Sequence, residues 1–134
     1  MTLHLRQHRD LYGTTAAAAA RDLTRHFFDD ASRVGRSVAP EVRDTTLLLV
    51  SELVTNAIRH TADGCALDLE LEPDGIGIDV TDSSSIEPQR RPPDLQGGGG
   101  WGWALVNQLG RDVRIRHLPS GKTIHTRVPL PPAI

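Results

Sequence analysis

Apolar and polar positions alternate with two different periods along the chain, and these periods separate helices from strands. Apolar residues recur three or four positions apart over 16–28 and 40–60, which predicts two helices. Pro40 suits the first turn of the second helix. That helix carries apolar residues on more than one stripe, so we expect it to be buried on most sides. Residues 2–5 alternate with period two and predict an edge strand.

Strict alternation predicts strands in the second half of the chain. Residues 67–71 and 76–80 alternate around a Pro-Asp-Gly turn and predict one hairpin, while 113–117 and 123–128 predict another. Helical spacing over 101–109 places a helix between the two hairpins. Two helices therefore come first, and strand pairs follow with a loop and a third helix between them. This order predicts the α+β class, as a two-layer α/β sandwich.

Composition and charge exclude several classes of protein. The 134 residues carry a formal net charge of −2, which gives no reason to expect direct nucleic-acid binding or attraction to a membrane surface. The longest apolar run is too short to span a bilayer, and the N-terminus lacks the core of a signal peptide. The single cysteine, Cys65, cannot form an internal disulfide. We therefore expect a cytoplasmic location.

Three polar side chains share one face of the second predicted helix. Glu52, Asn56 and His60 are spaced by four, which places them one above the other on a helix that is otherwise rich in apolar residues. A polar group buried there without a partner costs about 1–3 kcal/mol. The three residues are therefore candidates for a ligand site, although side chains that simply face solvent would show the same spacing.

Two further segments carry candidate chemistry. Asp82 lies where the predicted strand 76–80 runs into a loop, a place where ligand groups often bind, although a turn-capping aspartate fits there too. Gly97–Gly100 and Gly102 precede a predicted helix. Glycines allow the backbone to approach a phosphate, and a helix N-terminus offers free N–H groups. A flexible linker would also be glycine-rich, but it does not explain a helix that starts directly after the glycines.

Taken in order, these segments resemble the motifs of the Bergerat-fold (GHKL) ATPase superfamily. Residues 51–60, Ser-Glu-Leu-Val-Thr-Asn-Ala-Ile-Arg-His, resemble its N-box. Asp82 lies where the G1 box is expected, residues 100–106 resemble the G2 box, and Lys122-Thr123 resembles the final Gly-Thr element. The sequence of this N-box is most similar to that of actinobacterial anti-sigma-factor serine/threonine kinases. The resemblance implies a single histidine kinase-like ATP-binding domain over 1–134, with a mixed, mostly antiparallel sheet packed against helices.

The resemblance also implies a role for individual residues. Asn56 would coordinate Mg²⁺ and Glu52 would be the general base. Asp82 would accept the adenine amino group, with support from Thr123 through water. The remaining implied nucleotide-binding residues are four glycines that wrap the phosphates, a tryptophan beside them, and two residues at the end of the helix that meet phosphate, ribose or adenine: Gly98, Gly99, Gly100, Gly102, Trp101, Arg59 and His60.

The function that the resemblance implies is a serine/threonine protein kinase that also acts as an anti-sigma factor. Its cofactors would be ATP and Mg²⁺, and its partners an anti-anti-sigma factor, a sigma factor or both. Two other functions stay open: a nucleotide-dependent binding module without kinase activity, and a histidine-kinase-type catalytic domain serving a phosphoacceptor on another chain. The oligomeric state also stays open, with a homodimer among the options.

The chain departs from the superfamily pattern around the predicted loop. Ser84 stands where the G1 box has its first glycine, and Trp103 stands where the G2 box usually has leucine. Residues 83–100 contain three prolines and the glycine run, and loops of this length inside compact domains are usually functional. We expect this segment to be a lid that responds to nucleotide, with Trp101 near the ligand or a partner surface and Trp103 in the core.

Overall fold

The computed structural model of the chain describes residues 5–88 and 102–131. Five antiparallel strands form one sheet in the order β1-β2-β3-β5-β4, and the helices pack on one of its faces. The elements are β1 (Leu5–Leu11), α1 (Ala16–Arg33), α2 (Pro40–His60), β2 (Cys65–Glu72), β3 (Gly75–Asp82), α3 (Gly102–Leu109), β4 (Arg111–Leu118) and β5 (Gly121–Pro129). The predicted α+β two-layer sandwich is confirmed, and every strand pair of the described residues is antiparallel where a mixed, mostly antiparallel sheet was expected.

Helix α1 continues five residues beyond its predicted end. Asp29 and Asp30 interrupt the apolar spacing, but Ala31 lies on the same stripe as Phe27 and is fully buried. The helix then stops at Gly35, which has a φ of +88°. The backbone N–H of Arg36 donates to the carbonyl of Ala31 at 2.8 Å, as at a glycine-terminated helix end. The buried alanine therefore explains why the helix continues past Phe28, and Gly35 determines where it ends.

Strand β1 covers 5–11, whereas the alternation predicted an edge strand at 2–5. The strand is hard to recognise because two of its helix-facing positions, Gln7 and Arg9, are polar. The amide nitrogen of Gln7 donates a hydrogen bond to the carboxylate of Asp30 on α1, which gives this partly buried group a partner. An edge strand tolerates such residues because one of its sides is open to solvent.

The hydrophobic core lies between the sheet and the helices. Alternate residues of β2, β3 and β5 point towards α1 and α2, and their counterparts point to the open face of the sheet. The fully buried members include Phe27, Leu49, Leu53, Leu67, Ile78 and Ile124. Trp103 is partly buried and packs against this core, as expected.

Two expectations fall wholly or partly outside the described residues. The segment 89–101 includes most of the predicted lid and four of the implied nucleotide-binding positions, Gly98, Gly99, Gly100 and Trp101. Within the described ranges, no helix has the length and apolar character needed to cross a membrane.

Candidate functional site

Helix α2 presents its polar residues beside its buried stripe. Leu53 and Ala57 are each only 1% exposed, while Glu52, Asn56 and His60 are partly exposed. Arg59 points outwards and is exposed. The spacing that predicted a shared face for Glu52, Asn56 and His60 is therefore realised on a helix of the predicted extent, 40–60.

Asn56 carries an amide nitrogen whose hydrogen-bonding capacity is unused among the described residues. Its Nδ2 atom is buried and has no hydrogen-bond partner there. Buried polar groups in folded proteins are nearly always paired, so an orphaned one needs an explanation. An amide in this state on a partly exposed helix face is suited to a ligand that completes its bonding.

Glu52 and Gly102 bring the second helix and the glycine-rich motif together. A Cβ atom added to Gly102 would overlap the Oε2 atom of Glu52 and lie 3.2 Å from its Cδ. A side chain at position 102 would therefore displace the carboxylate from where it lies. The N-terminus of α3, which begins at Gly102, therefore lies directly against Glu52.

Asp82 ends strand β3 on the side of the sheet that faces the helices. It is 5% exposed and lies in register with Cys65 on β2 and Lys122 on β5. Its Oδ1 atom accepts a hydrogen bond of 2.8 Å from the backbone N–H of Ser84, which is the turn-capping role considered for it. Asp82 thus caps the turn and also points into the space beneath the helices.

Lys122 lies opposite Asp82, and although it belongs to the Lys-Thr motif, the resemblance assigned a role only to Thr123. Its Nζ atom donates to Asp82 Oδ1 at 2.9 Å and to Oδ2 at 3.0 Å. A third bond of 3.2 Å goes to the carbonyl of Ser84. A signal was present in the sequence: Lys122 alternates in phase with Ile124, and a lysine in a buried phase requires an anionic partner.

Thr123 lies on the other face of the sheet. Its hydroxyl shares a hydrogen bond of 2.8 Å with the hydroxyl of Thr81, and both residues point away from the helices. The structure therefore does not bring Thr123 to the carboxylate of Asp82. The residue of the Lys-Thr pair that reaches Asp82 is Lys122.

A hydroxyl network joins the end of α2 to the end of β3. The hydroxyls of Thr61 and Ser83 lie 2.7 Å apart, and Ser83 donates to Asp63 at 3.0 Å. Because Thr61 directly follows α2 and Ser83 directly follows Asp82, the network holds the last turn of α2 beside the Asp82 corner. The implied site residues of α2, β3 and α3 are thus arranged on one side of the sheet.

Cys65 borders this corner as a protonated thiol. Burial, together with the nearby carboxylates of Asp82 and Asp10, raises the pKa of the Cys65 thiol from 9.0 to about 11. A thiol with such a pKa is a poor nucleophile at neutral pH. Cys65 is therefore not a candidate nucleophile of this site.

Comparison with known proteins agrees with this geometry. The model of the family described as the histidine kinase-like ATPase domain matches residues 14–128. No curated protein matches the chain. Among solved structures, the RsbU and RsbW domains of Rv1364c from Mycobacterium tuberculosis superpose with a TM-score of 0.68 at 20% sequence identity. The match covers 96% of this chain and 34% of that one, so this chain spans about a third of its length.

Proposed function

The chain belongs to the family of histidine kinase-like ATPase domains, and on this premise we propose that it binds ATP with Mg²⁺ and regulates a protein partner. The observation that carries the proposal is the meeting of Glu52 with Gly102. It joins two motifs that are fifty residues apart in the sequence. The recognition of this superfamily from the sequence motifs is confirmed by the family match.

The described residues fit a nucleotide with its metal ion. Mg²⁺ prefers a few protein oxygens together with phosphate and water, and it would neutralise the phosphate charge when bound. The amide oxygen of Asn56 is the atom that could reach the metal ion, whereas its unpaired Nδ2 is a donor and could meet a phosphate oxygen. We assign Asn56 to the metal and the glycines that lead into α3 to the phosphates. Arg59 and His60, at the end of α2, would meet phosphate and ribose or adenine.

Glu52 is the proposed general base. It would accept the proton from a hydroxyl as that oxygen forms a bond to the γ-phosphorus and the bond from that phosphorus to the ADP oxygen breaks. Its carboxylate lies at the N-terminus of α3, where phosphates bind favourably. This position supports a role in transfer.

The finer proposal concerns the acceptor of the phosphoryl group. We propose a serine/threonine protein kinase that acts on an anti-anti-sigma factor and also binds a sigma factor. Support comes from the sequence of residues 51–60, which is similar to the N-box of anti-sigma-factor kinases. A single domain over 1–134 would suffice for this function.

A nucleotide-dependent binding module without transfer activity is the second candidate. The observation that favours it is the ion pair between Lys122 and Asp82, because it engages the carboxylate that would otherwise read the adenine base. A site with such an altered base contact could retain a binding role without turnover.

Two variants of α2 test the assignment. Asn56→Ala should abolish Mg²⁺-dependent nucleotide binding, because a metal ligand acts on the bound ground state. Glu52→Ala should keep binding and slow transfer by about 100-fold or more, since a general base acts mainly in the transition state. The assay combines calorimetry with labelled ATP and purified anti-anti-sigma candidates, and Thr55→Ala, on the exposed face of α2, is the matched control.

The outcomes separate the candidate functions. Phosphoserine or phosphothreonine on the partner supports the kinase, and nucleotide-dependent partner binding without transfer supports the binding module. Acid-labile phosphohistidine would point to a histidine-kinase-type domain instead. Equal loss of nucleotide affinity in Asn56→Ala and Glu52→Ala would contradict the roles assigned to them.

A further inference from the structure

Lys122 and Asp82 form an ion pair that is closed to solvent. Both side chains have no exposed surface. Lys122 is the only lysine of the chain, although the sequence has 15 lysine and arginine residues in total. A buried lysine is rare unless it is paired. This one is paired with the carboxylate to which the superfamily resemblance assigns the adenine base.

The hydrogen bonds of the pair leave little capacity for a ligand. An ammonium group can donate three hydrogen bonds, and Lys122 donates them to Asp82 Oδ1, Asp82 Oδ2 and the carbonyl of Ser84. Asp82 Oδ1 accepts a second bond from the backbone N–H of Ser84. One lone pair of Oδ2 is left over, and the carboxylate is covered on all sides.

The backbone around the pair keeps it in place. Strand β5 begins at Gly121, which has a φ of +153°, and a Cβ atom there would overlap the carbonyl oxygen of Asp82. The close approach of these backbones places Lys122 directly opposite Asp82 in the β3–β5 register. The pair is therefore built into the sheet rather than made by two mobile surface side chains.

We propose that Lys122 determines the nucleotide specificity of this site. By engaging Asp82 it keeps the carboxylate from accepting a hydrogen bond from an adenine amino group. The site then recognises the phosphates and the metal ion of a nucleotide, near Asn56. It discriminates little between the purine bases. This inference rests on the proposed function, since it concerns the base end of the same nucleotide site.

Removal of the lysine should restore base reading. Lys122→Met keeps an unbranched side chain of similar length but removes the ammonium group and its three hydrogen-bond donors. Asp82 then regains acceptors that favour the amino group of adenine and disfavour the carbonyl oxygen at the same position of guanine. The double variant Asp82→Asn/Lys122→Met removes both charges and is the control, because no carboxylate is left to read the base.

The first experiment compares the dissociation constants of Mg-ATP and Mg-GTP in these proteins. The wild type should bind both within about threefold, and Lys122→Met should prefer ATP by about tenfold or more, the factor expected of one hydrogen bond to a charged acceptor. The double variant should lose that preference. A wild type that prefers ATP by about tenfold or more, and loses this preference in Asp82→Asn, would overturn the inference while leaving nucleotide binding intact.

A second experiment uses the wild type alone and does not depend on the stability of a variant. With ¹⁵N-labelled lysine the protein gives a single side-chain ammonium signal, from Lys122. The inference predicts a signal protected from exchange with water that stays in place when Mg-ATP is added. A rapidly exchanging ammonium, or one that shifts with ATP and not with GTP, would show that the pair opens for adenine and would overturn it. If neither the wild type nor Lys122→Met binds any triphosphate, the proposed function and this inference fail together.

Discussion

Cys65 shows how strongly a single residue is affected by its surroundings. Burial, with help from Asp82 and Asp10, holds its pKa at about 11. At pH 8 the thiolate fraction is then about 100-fold lower than at its ordinary pKa of 9.0, because each pKa unit is a factor of ten. We expect iodoacetamide to alkylate Cys65 at least that much more slowly in the folded protein than in urea. Equal rates in mass-spectrometric time courses would contradict the burial of this thiol.

At the residue scale, the sequence predicted the acidic and amide positions but not their partners. Glu52 and Asn56 could be recognised because a spacing of four identifies one face of a helix. Asp82 could be recognised because it ends an alternating strand. Lys122 was missed because the motif drew attention to Thr123, and strand register alone decides which of two neighbours points to the helices.

The contact between α2 and α3 can be tested at Gly102. An added methyl group would meet only the end of the flexible Glu52 side chain, which can swing away. Gly102→Ala should therefore change the free energy of unfolding by less than about 1 kcal/mol, while displacement of the base should slow phosphoryl transfer by about tenfold or more. Urea denaturation and a labelled-ATP assay measure the two effects.

Two further variants control this prediction. Gln108→Ala changes an exposed residue of α3 and should leave both measurements unchanged. In a Glu52→Ala background, Gly102→Ala should cost no additional activity, because the atom that it displaces is already absent. Full transfer activity in Gly102→Ala would show that the two motifs do not work together.

A row of two histidines and two aspartates crosses the open face of the sheet, in cross-strand register from β1 through β2 and β3 to β5. It consists of His8, Asp68, Asp79 and His125. The hydrogen bond from the His8 ring to Asp68, 2.7 Å long, raises the pKa of His8 above its ordinary value of 6.5, and Asp10 adds to the effect. This row gives one strand pairing a dependence on pH.

The sign of that dependence follows from the raised pKa. The stabilisation is fully present below the unfolded pKa of about 6.5 and is lost as the pH rises through the folded value. Because the His8 side chain is 54% exposed, we expect at most about 1 kcal/mol. Urea denaturation should show His8→Gln less stable than wild type at about pH 5.5 and equal to it at about pH 8.5, which lie about one unit below and two units above the ordinary pKa of the imidazole.

His26→Gln is the control for this pH dependence. It removes an exposed imidazole of α1 that makes no ion pair with any described residue. This variant should not show the His8 pattern. A stability difference between wild type and His8→Gln that is the same at both pH values would contradict the role of the His8–Asp68 pair.

At the element scale, helices and strands with a strong hydrophobic period were placed correctly, whereas a strand with a weak period was misplaced. Helix α2 and the hairpin of β2 and β3 were predictable because their apolar residues recur without interruption. Strand β1 was misplaced because the polar residues Gln7 and Arg9 occupy helix-facing positions, where Gln7 donates a hydrogen bond to Asp30 on α1 and Arg9 stays exposed. Such contacts join residues that are distant in sequence and leave no local pattern.

For the whole molecule, the order of the motifs predicted the fold, and the fold explains why that order matters. Residues 51–60, Asp82 and Gly102 are separated along the chain, but α2, β3 and α3 bring them to one side of the sheet. Most of the predicted lid and the glycines at 98–100 lie outside the described residues, so their roles stay predictions. The central claim is that this side of the sheet binds a nucleotide.

Titration calorimetry with Mg-ATP and Mg-ADP tests that claim most directly. We expect saturable binding to the wild type that disappears when Mg²⁺ is chelated and in Asn56→Ala, because the amide oxygen of Asn56 is the proposed metal ligand. Thr55→Ala should bind as the wild type does. No binding of either nucleotide by the folded wild type at millimolar concentrations would contradict the account.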